Sequence, residues 1–161
     1  MADTAATLDT GALTHHIETR YHARHREQLP LLANLAEKVE VVHFGEEGVP
    51  AGLSVLLRRM NKAMDLYMKK EEAILFPAIR RGGVPRIEIQ ITAMRVDHDH
   101  HIREIDQIRR MTDGLRLPEG ACPSWTALYT GLEDFIADLE AHIHLENDVL
   151  FPIFEKAEHH D

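Results

Sequence analysis

Four stretches of the chain carry apolar residues at alternating steps of three and four: residues 11–43, 51–81, 86–113 and 124–157. That spacing places them along one face of a helix. In the first stretch the predicted inward stripe is His15, His22, His25, Leu29, Leu32, Ala36, Val39, His43. The second gives Leu53, Leu57, Met60, Met64, Tyr67, Glu71, Ile74, and the third Ile87, Ile91, Met94, His98, His101, Ile105, Ile108. The fourth gives Leu128, Leu132, Phe135, Leu139, His142, Glu146, Val149, Ile153. No stretch alternates apolar and polar residues with the period of two that a half-buried strand requires. The glycine- and proline-bearing gaps Phe44–Pro50, Gly82–Pro85 and Gly114–Ser124 separate the helices. Pro30 lies inside the first and is expected to kink or interrupt it, because it has no N–H for the preceding turn. The pattern predicts an all-α, antiparallel up-down four-helix bundle formed as a single domain over residues 1–161.

Composition narrows the function. Of 161 residues, 44% are hydrophobic and 28% charged, which suits one globular domain rather than a disordered chain. Lys and Arg number 18 against 27 Asp and Glu, and the basic residues are not segregated, so neither a nucleic acid nor an anionic membrane is the expected partner. No apolar run approaches the roughly 20 residues of a membrane span, and Met1–Thr10 lacks the basic-then-apolar layout of a secretory signal. A cytoplasmic setting is expected. Cys122 is the single cysteine, which excludes an internal disulfide framework and any Cys-rich zinc or iron–sulfur site. It has no charged neighbour in the sequence and reads as unreactive.

Histidine is the unusual residue, at 12 of 161. His142 and Glu146 are four apart and share the apolar face of their helix. An ionised carboxylate on such a face costs several kcal/mol unless compensated. Glu71 poses the same problem in the second helix, and His22 and His98 lie on the stripes of the other two. Counted from the turns at about 1.5 Å per residue, all five fall within about two helical turns of one level. With almost no Lys or Arg on those stripes, a cation answers the charge. The mixed imidazole and carboxylate set favours a pair of iron ions over one structural zinc, which four ligands would close. His25 and His101, one turn away, are expected in a supporting or core role, and His43 at a helix end in capping. His15, His16, His100, His144, His159 and His160 are expected at the surface. The segments Glu71–Pro77 and Glu146–Pro152 repeat one another at an offset of 75, which also pairs Tyr67 with His142; an offset of 76 pairs His22 with His98 and His25 with His101. A two-helix unit followed by its copy is implied.

These residues resemble a hemerythrin-type (HHE cation-binding) domain, and most closely the iron–sulfur cluster repair family of di-iron proteins. The resemblance rests on Arg20-Tyr21-His22, Arg24-His25-Arg26-Glu27-Gln28-Leu29-Pro30, Lys70-Glu71-Glu72 with Leu75-Phe76-Pro77, and Met94 with His98-Asp99. It extends through Pro118-Glu119, Ala121-Cys122 and Trp125 to His142, Leu145-Glu146-Asn147 and Val149-Leu150-Phe151-Pro152. It implies a hemerythrin-like bundle holding two iron ions through His22, Glu71, His98, His142 and Glu146. Glu71 and Glu146 would bridge the ions, with an oxo or hydroxo group as third bridge. Two departures stand out. The family pattern has a histidine ligand where this chain has Tyr67, and a small N-terminal domain with paired cysteines that this sequence lacks. Tyr67 has three readings: a phenolate ligand, a phenol donating to a bridging oxygen or bound diatomic, or a core filler that leaves one iron an open position.

The implied function is repair of iron–sulfur clusters damaged by nitrosative or oxidative stress, through iron donation and through binding and reduction of nitric oxide. Damaged iron–sulfur proteins are the implied partners, with nitric oxide or dioxygen as small ligands. The alternatives are a carrier or sensor of either gas without turnover, and a bundle whose metal only holds the helices together.

Overall fold

The structure, a computed structural model, describes the backbone of residues 9–159 and the side chains of 9–155. The side chains of His159 and His160, expected at the surface, lie outside the described residues, as does most of the 1–10 segment. Four helices account for the fold, with no strand among the described residues. Helix α1 covers residues 10–42, α2 residues 53–80, α3 Ile87–Met111 and α4 residues 123–159. Arg80 near the end of α2 bonds Thr14 and Glu18 near the start of α1, so these neighbours run antiparallel. Arg95 early in α3 reaches Glu155 late in α4 in the same sense. Each helix packs on two others around the bundle. The sequence pattern identified this architecture.

Three of the four helices are not α-helical throughout. Each of α1, α2 and α4 contains a wider π-helical segment, at Ile17–His22, Glu71–Leu75 and Leu145–Leu150 respectively. A π turn accommodates one extra residue, so everything past it is rotated by about 100° relative to an uninterrupted 3.6-residue period. This accounts for the inward positions that differ from the predicted stripes. Before His22, the buried residues are Leu13, Thr14 and Ile17, whereas His15 is exposed. After Glu71, Leu75 is buried and Ile74 exposed; after Glu146, Leu150 and Phe154 are buried, while Val149 is only half-buried and Ile153 exposed. Helix α3 has no such segment, and all seven predicted positions from Ile87 to Ile108 are buried. Pro77 and Pro152 each stand two residues after a π segment, where a proline ring crowds the carbonyl of the preceding turn. Pro30 does not interrupt its helix as expected: Ala23–Val42 is continuous through it.

The core divides into two apolar layers. One gathers Leu29, Leu32, Leu57, Met60, Met64, Phe135 and Leu139 around Trp125. The other gathers Leu13, Ile17, Leu75, Phe76, Ile79, Ile87, Ile91, Leu150 and Phe151. Between them lies a layer of buried histidines and glutamates. The start of α2 has an unusual cap. Gly52, at φ 89°, has no side chain with which to cap, and the Glu40 carboxylate of α1 accepts from the backbone N–H groups of Gly52 (2.8 Å) and Ser54 (2.9 Å). It places a negative charge at the positive end of α2. Glu40→Ala is expected to lower unfolding stability by about 1 kcal/mol in denaturant titration, with Glu40→Gln recovering part of the loss. Equal stability of Glu40→Ala and the parent would refute the cap.

Candidate metal centre

The five residues singled out as ligands meet in the polar layer. His22 Nε2 lies 3.1 Å from Glu71 Oε1, and His98 Nε2 lies 2.7 Å from Glu146 Oε1. His142 Nε2 is 3.3 Å from Glu146 Oε2. One donor atom from each of His22, Glu71, His142 and Glu146 lies within 4.8 Å of the other three. His98 adjoins this group through Glu146. The π segments put them there: His22 closes one, Glu71 opens another, and Glu146 lies inside the third. Such segments recur at functional sites because the wider turn re-aims a side chain while the helix continues.

Each imidazole is held by its outer nitrogen. His22 Nδ1 donates to Glu72 Oε2 at 2.7 Å, and Arg26 fixes that carboxylate with two bonds of 2.9 and 3.1 Å. His98 Nδ1 meets Asn147 Oδ1 at 2.7 Å, and His142 Nδ1 meets His25 Nε2 at 3.1 Å. With Nδ1 of His22 and His98 protonated toward these acceptors, a neutral ring presents the Nε2 lone pair to a carboxylate oxygen. Two lone pairs face each other at hydrogen-bond distance unless a proton or a cation lies between them. Glu71 Oε2, Glu146 Oε2 and His142 Nε2 are buried without a hydrogen-bond partner among the described residues. That convergence of orphaned donor atoms fits a metal site.

The repeat seen in the sequence is a geometric one. His22 stacks on Phe76 and His98 on Phe151, each with centroids 5.7 Å apart. Their Nδ1 anchors, Glu72 and Asn147, are related by the same offset of 75 as the two phenylalanines. Neither anchor was singled out from the sequence, although that offset marks both. The repeat breaks at Tyr67 and His142. His142 is buried with His25 behind it, whereas its counterpart Tyr67 is half-buried, with its ring 5.4 Å from His101 and the Lys70 ammonium 5.9 Å above it. Tyr67, Asp97, His98, His101, His142 and Glu71 are among the residues lining a cavity of about 20 Å³, space for a single water-sized ligand. Burial, with the nearby Asp97 and Glu104 carboxylates, raises the Tyr67 phenol above its ordinary range, so its protein neighbours favour the phenol over the phenolate.

The charges of the metal-free layer are strongly displaced. Burial and the Glu146 carboxylate push Glu71 up to about 7. Burial holds His25 and His142 neutral, down to about 3 each, their imidazole neighbours adding repulsion. For His98 burial opposes the charge, but the contact with Glu146 outweighs it and raises the ring to about 9. His22 is raised likewise, Glu71 outweighing burial.

The remaining histidines divide as their positions dictate. His15, His16, His100 and His144 are exposed. His43 ends α1, bonds Glu46 at 2.8 Å and packs on Trp125. It also abuts Cys122: the thiol raises His43 first, and His43 lowers Cys122. The thiol therefore has a titratable neighbour that the sequence did not reveal.

Residues 13–154 match the family described as the hemerythrin HHE cation binding domain. Among curated relatives, the iron-sulfur cluster repair proteins YtfE of Yersinia pseudotuberculosis serotype O:1b (strain IP 31758) and of Yersinia pestis are each 47% identical over 136 residues. Those matches cover 84% of this chain and 62% of each relative. The chain thus spans about three-fifths of the length of the relatives it matches.

The displaced charges set a pH dependence for the metal-free protein. Unfolding returns His25 and His142 to about 6.5, so below that pH the unfolded chain takes up two more protons. Glu71 opposes them with one, since its folded value of about 7 exceeds its unfolded 4.5. His22 and His98 are protonated in both states in that window. Net uptake of one proton on unfolding makes stability fall on acidification from pH 6.5 to 4.5, by about 1.4 kcal/mol per pH unit. Thermal melts of chelator-treated protein across that window check this; a melting temperature that rises as the pH is lowered would contradict it.

Proposed function

Because the chain belongs to the hemerythrin HHE cation-binding family, we propose that its buried layer holds two iron ions and that the protein acts in the cytoplasm to restore iron–sulfur clusters damaged by nitrosative or oxidative stress. The observation that carries the metal reading is the convergence of Glu71, Glu146 and His142 donor atoms, buried and lacking hydrogen bonds among the described residues. The repair role is supported by the names of the relatives and by the ligand set.

In this reading His22, His98 and His142 supply neutral imidazoles, and Glu71 and Glu146 bridge the two metal positions. Iron held there would supply binding of nitric oxide or dioxygen, reduction of nitric oxide, and metal for a damaged cluster. The chain's residues set the conditions. Glu72, Asn147 and His25 hold the outer nitrogens, so the inner ones point where a metal belongs without reorganisation. The two apolar layers exclude bulk water and strengthen every electrostatic interaction between them. The small cavity beside Tyr67 would give a small ligand a place next to the metal. Because His22 and His98 readily take up a proton in place of a cation, binding competes with protonation.

Iron analysis of anaerobically loaded protein is expected to give about two ions per chain, with Glu146→Ala losing at least about one of them. Lowering the pH through about 6 should release iron, as the imidazoles protonate. An enzyme inactivated by nitric oxide at its iron–sulfur cluster should recover activity with the iron-loaded parent and not with Glu146→Ala. Recovery at the same rate with both proteins would rule out the repair role.

A further inference from the structure

The two halves of the site are unequally furnished. In one, His142 and His22 face Glu71 and Glu146. In the other, His98 stands beside Glu146, and Tyr67 occupies the place related to His142 by the internal repeat. The cavity lies on this second side. His101 lines it, on the same face of α3 as His98 and one turn further along.

His101 shares two features with the three imidazoles already assigned, burial and an anchored outer nitrogen. It is buried, at 5% exposure, and its Nδ1 is anchored to the Glu104 carboxylate at 3.2 Å. Its Nε2 makes no hydrogen bond among the described residues, which leaves it as the free donor of the ring. The anchored outer nitrogen is the arrangement that fixes tautomer and orientation in metal-binding histidines. His25, its counterpart in the repeat, differs: its Nε2 is engaged by His142 Nδ1 and its Nδ1 is orphaned. Tyr67 is turned partly outward, beneath Lys70 and against the His101 ring.

We propose that His101, and not Tyr67, supplies the remaining protein donor of the second metal position, so that this chain ligates with four imidazoles and two carboxylates. The inference rests on the paired-iron reading above. It reassigns a residue whose sequence position indicated only a supporting role. Tyr67 then acts as the wall against which the His101 ring packs, and the cavity they both line is the approach for a small ligand.

The test counts metal rather than activity. The parent and Tyr67→Phe are each expected to bind about two irons per chain, and His101→Ala about one, with unchanged helical circular dichroism. Two irons in both the parent and His101→Ala would overturn the assignment and leave the paired site standing. Fewer than two in the parent would instead defeat the paired-iron reading itself. Loss of an iron in Tyr67→Phe but not in His101→Ala would return the role to the tyrosine. A measurement on the unaltered chain covers the case in which His101→Ala does not fold: long-range proton–nitrogen correlation spectra of the zinc(II)-loaded protein. The His101 Nε2 signal is expected to move with those of His22, His98 and His142 when zinc is added. A signal that stays with the exposed His15 and His16 would refute the proposal.

Discussion

Two carboxylates inside a helical bundle are the constraint around which this molecule is built. Glu71 and Glu146 lie between apolar layers, and no lysine or arginine pairs with either among the described residues. Taking such a group out of water costs several kcal/mol if it remains charged and unpaired. The imidazoles around them relieve that cost only by taking up protons or by sharing a cation. The same geometry explains the displaced titrations of the metal-free layer and its fitness for metal: a proton and a cation compete for one set of lone pairs.

The surrounding structure keeps those lone pairs aimed inward. Arg26 holds Glu72, and Glu72 holds His22. On the opposite helices Asn147 holds His98, and His25 of α1 stands behind His142. Phe76 and Phe151 pack flat against the rings they support. Ligand directions are thus set by side chains outside the ligand set, several of them bonded to further groups. Arg26, for example, also bonds Asp65 at 3.3 Å. A site held this way need not rearrange to bind a metal.

The internal repeat shows where this chain departs from symmetry. Glu72 with Asn147 and Phe76 with Phe151 play equivalent parts, as do His22 with His98. Tyr67 and His142 do not. A phenol is longer than an imidazole and does not fit its counterpart's buried place, so it sits half-exposed beside a small cavity. That asymmetry leaves the two halves of the polar layer unequal, with the cavity beside Tyr67.

The four helices, their antiparallel order and the level at which the acids and imidazoles meet were legible in the amino-acid sequence, because burial imposes a 3.6-residue period on any helix with one apolar face. His22, Glu71, His98, His142 and Glu146 stood out for the same reason, as polar residues where the period demanded apolar ones. The π segments were not legible, since inserting one residue in a turn leaves no mark in composition and only shifts the period by about 100°. They decided that Leu75, Leu150 and Ile17 rather than Ile74, Val149 and His15 face inward. The partners of each imidazole's outer nitrogen, the cavity beside Tyr67 and the meeting of His43 with Cys122 also came only from the fold. Each depends on distances between side chains from different helices, which periodicity along one helix does not encode.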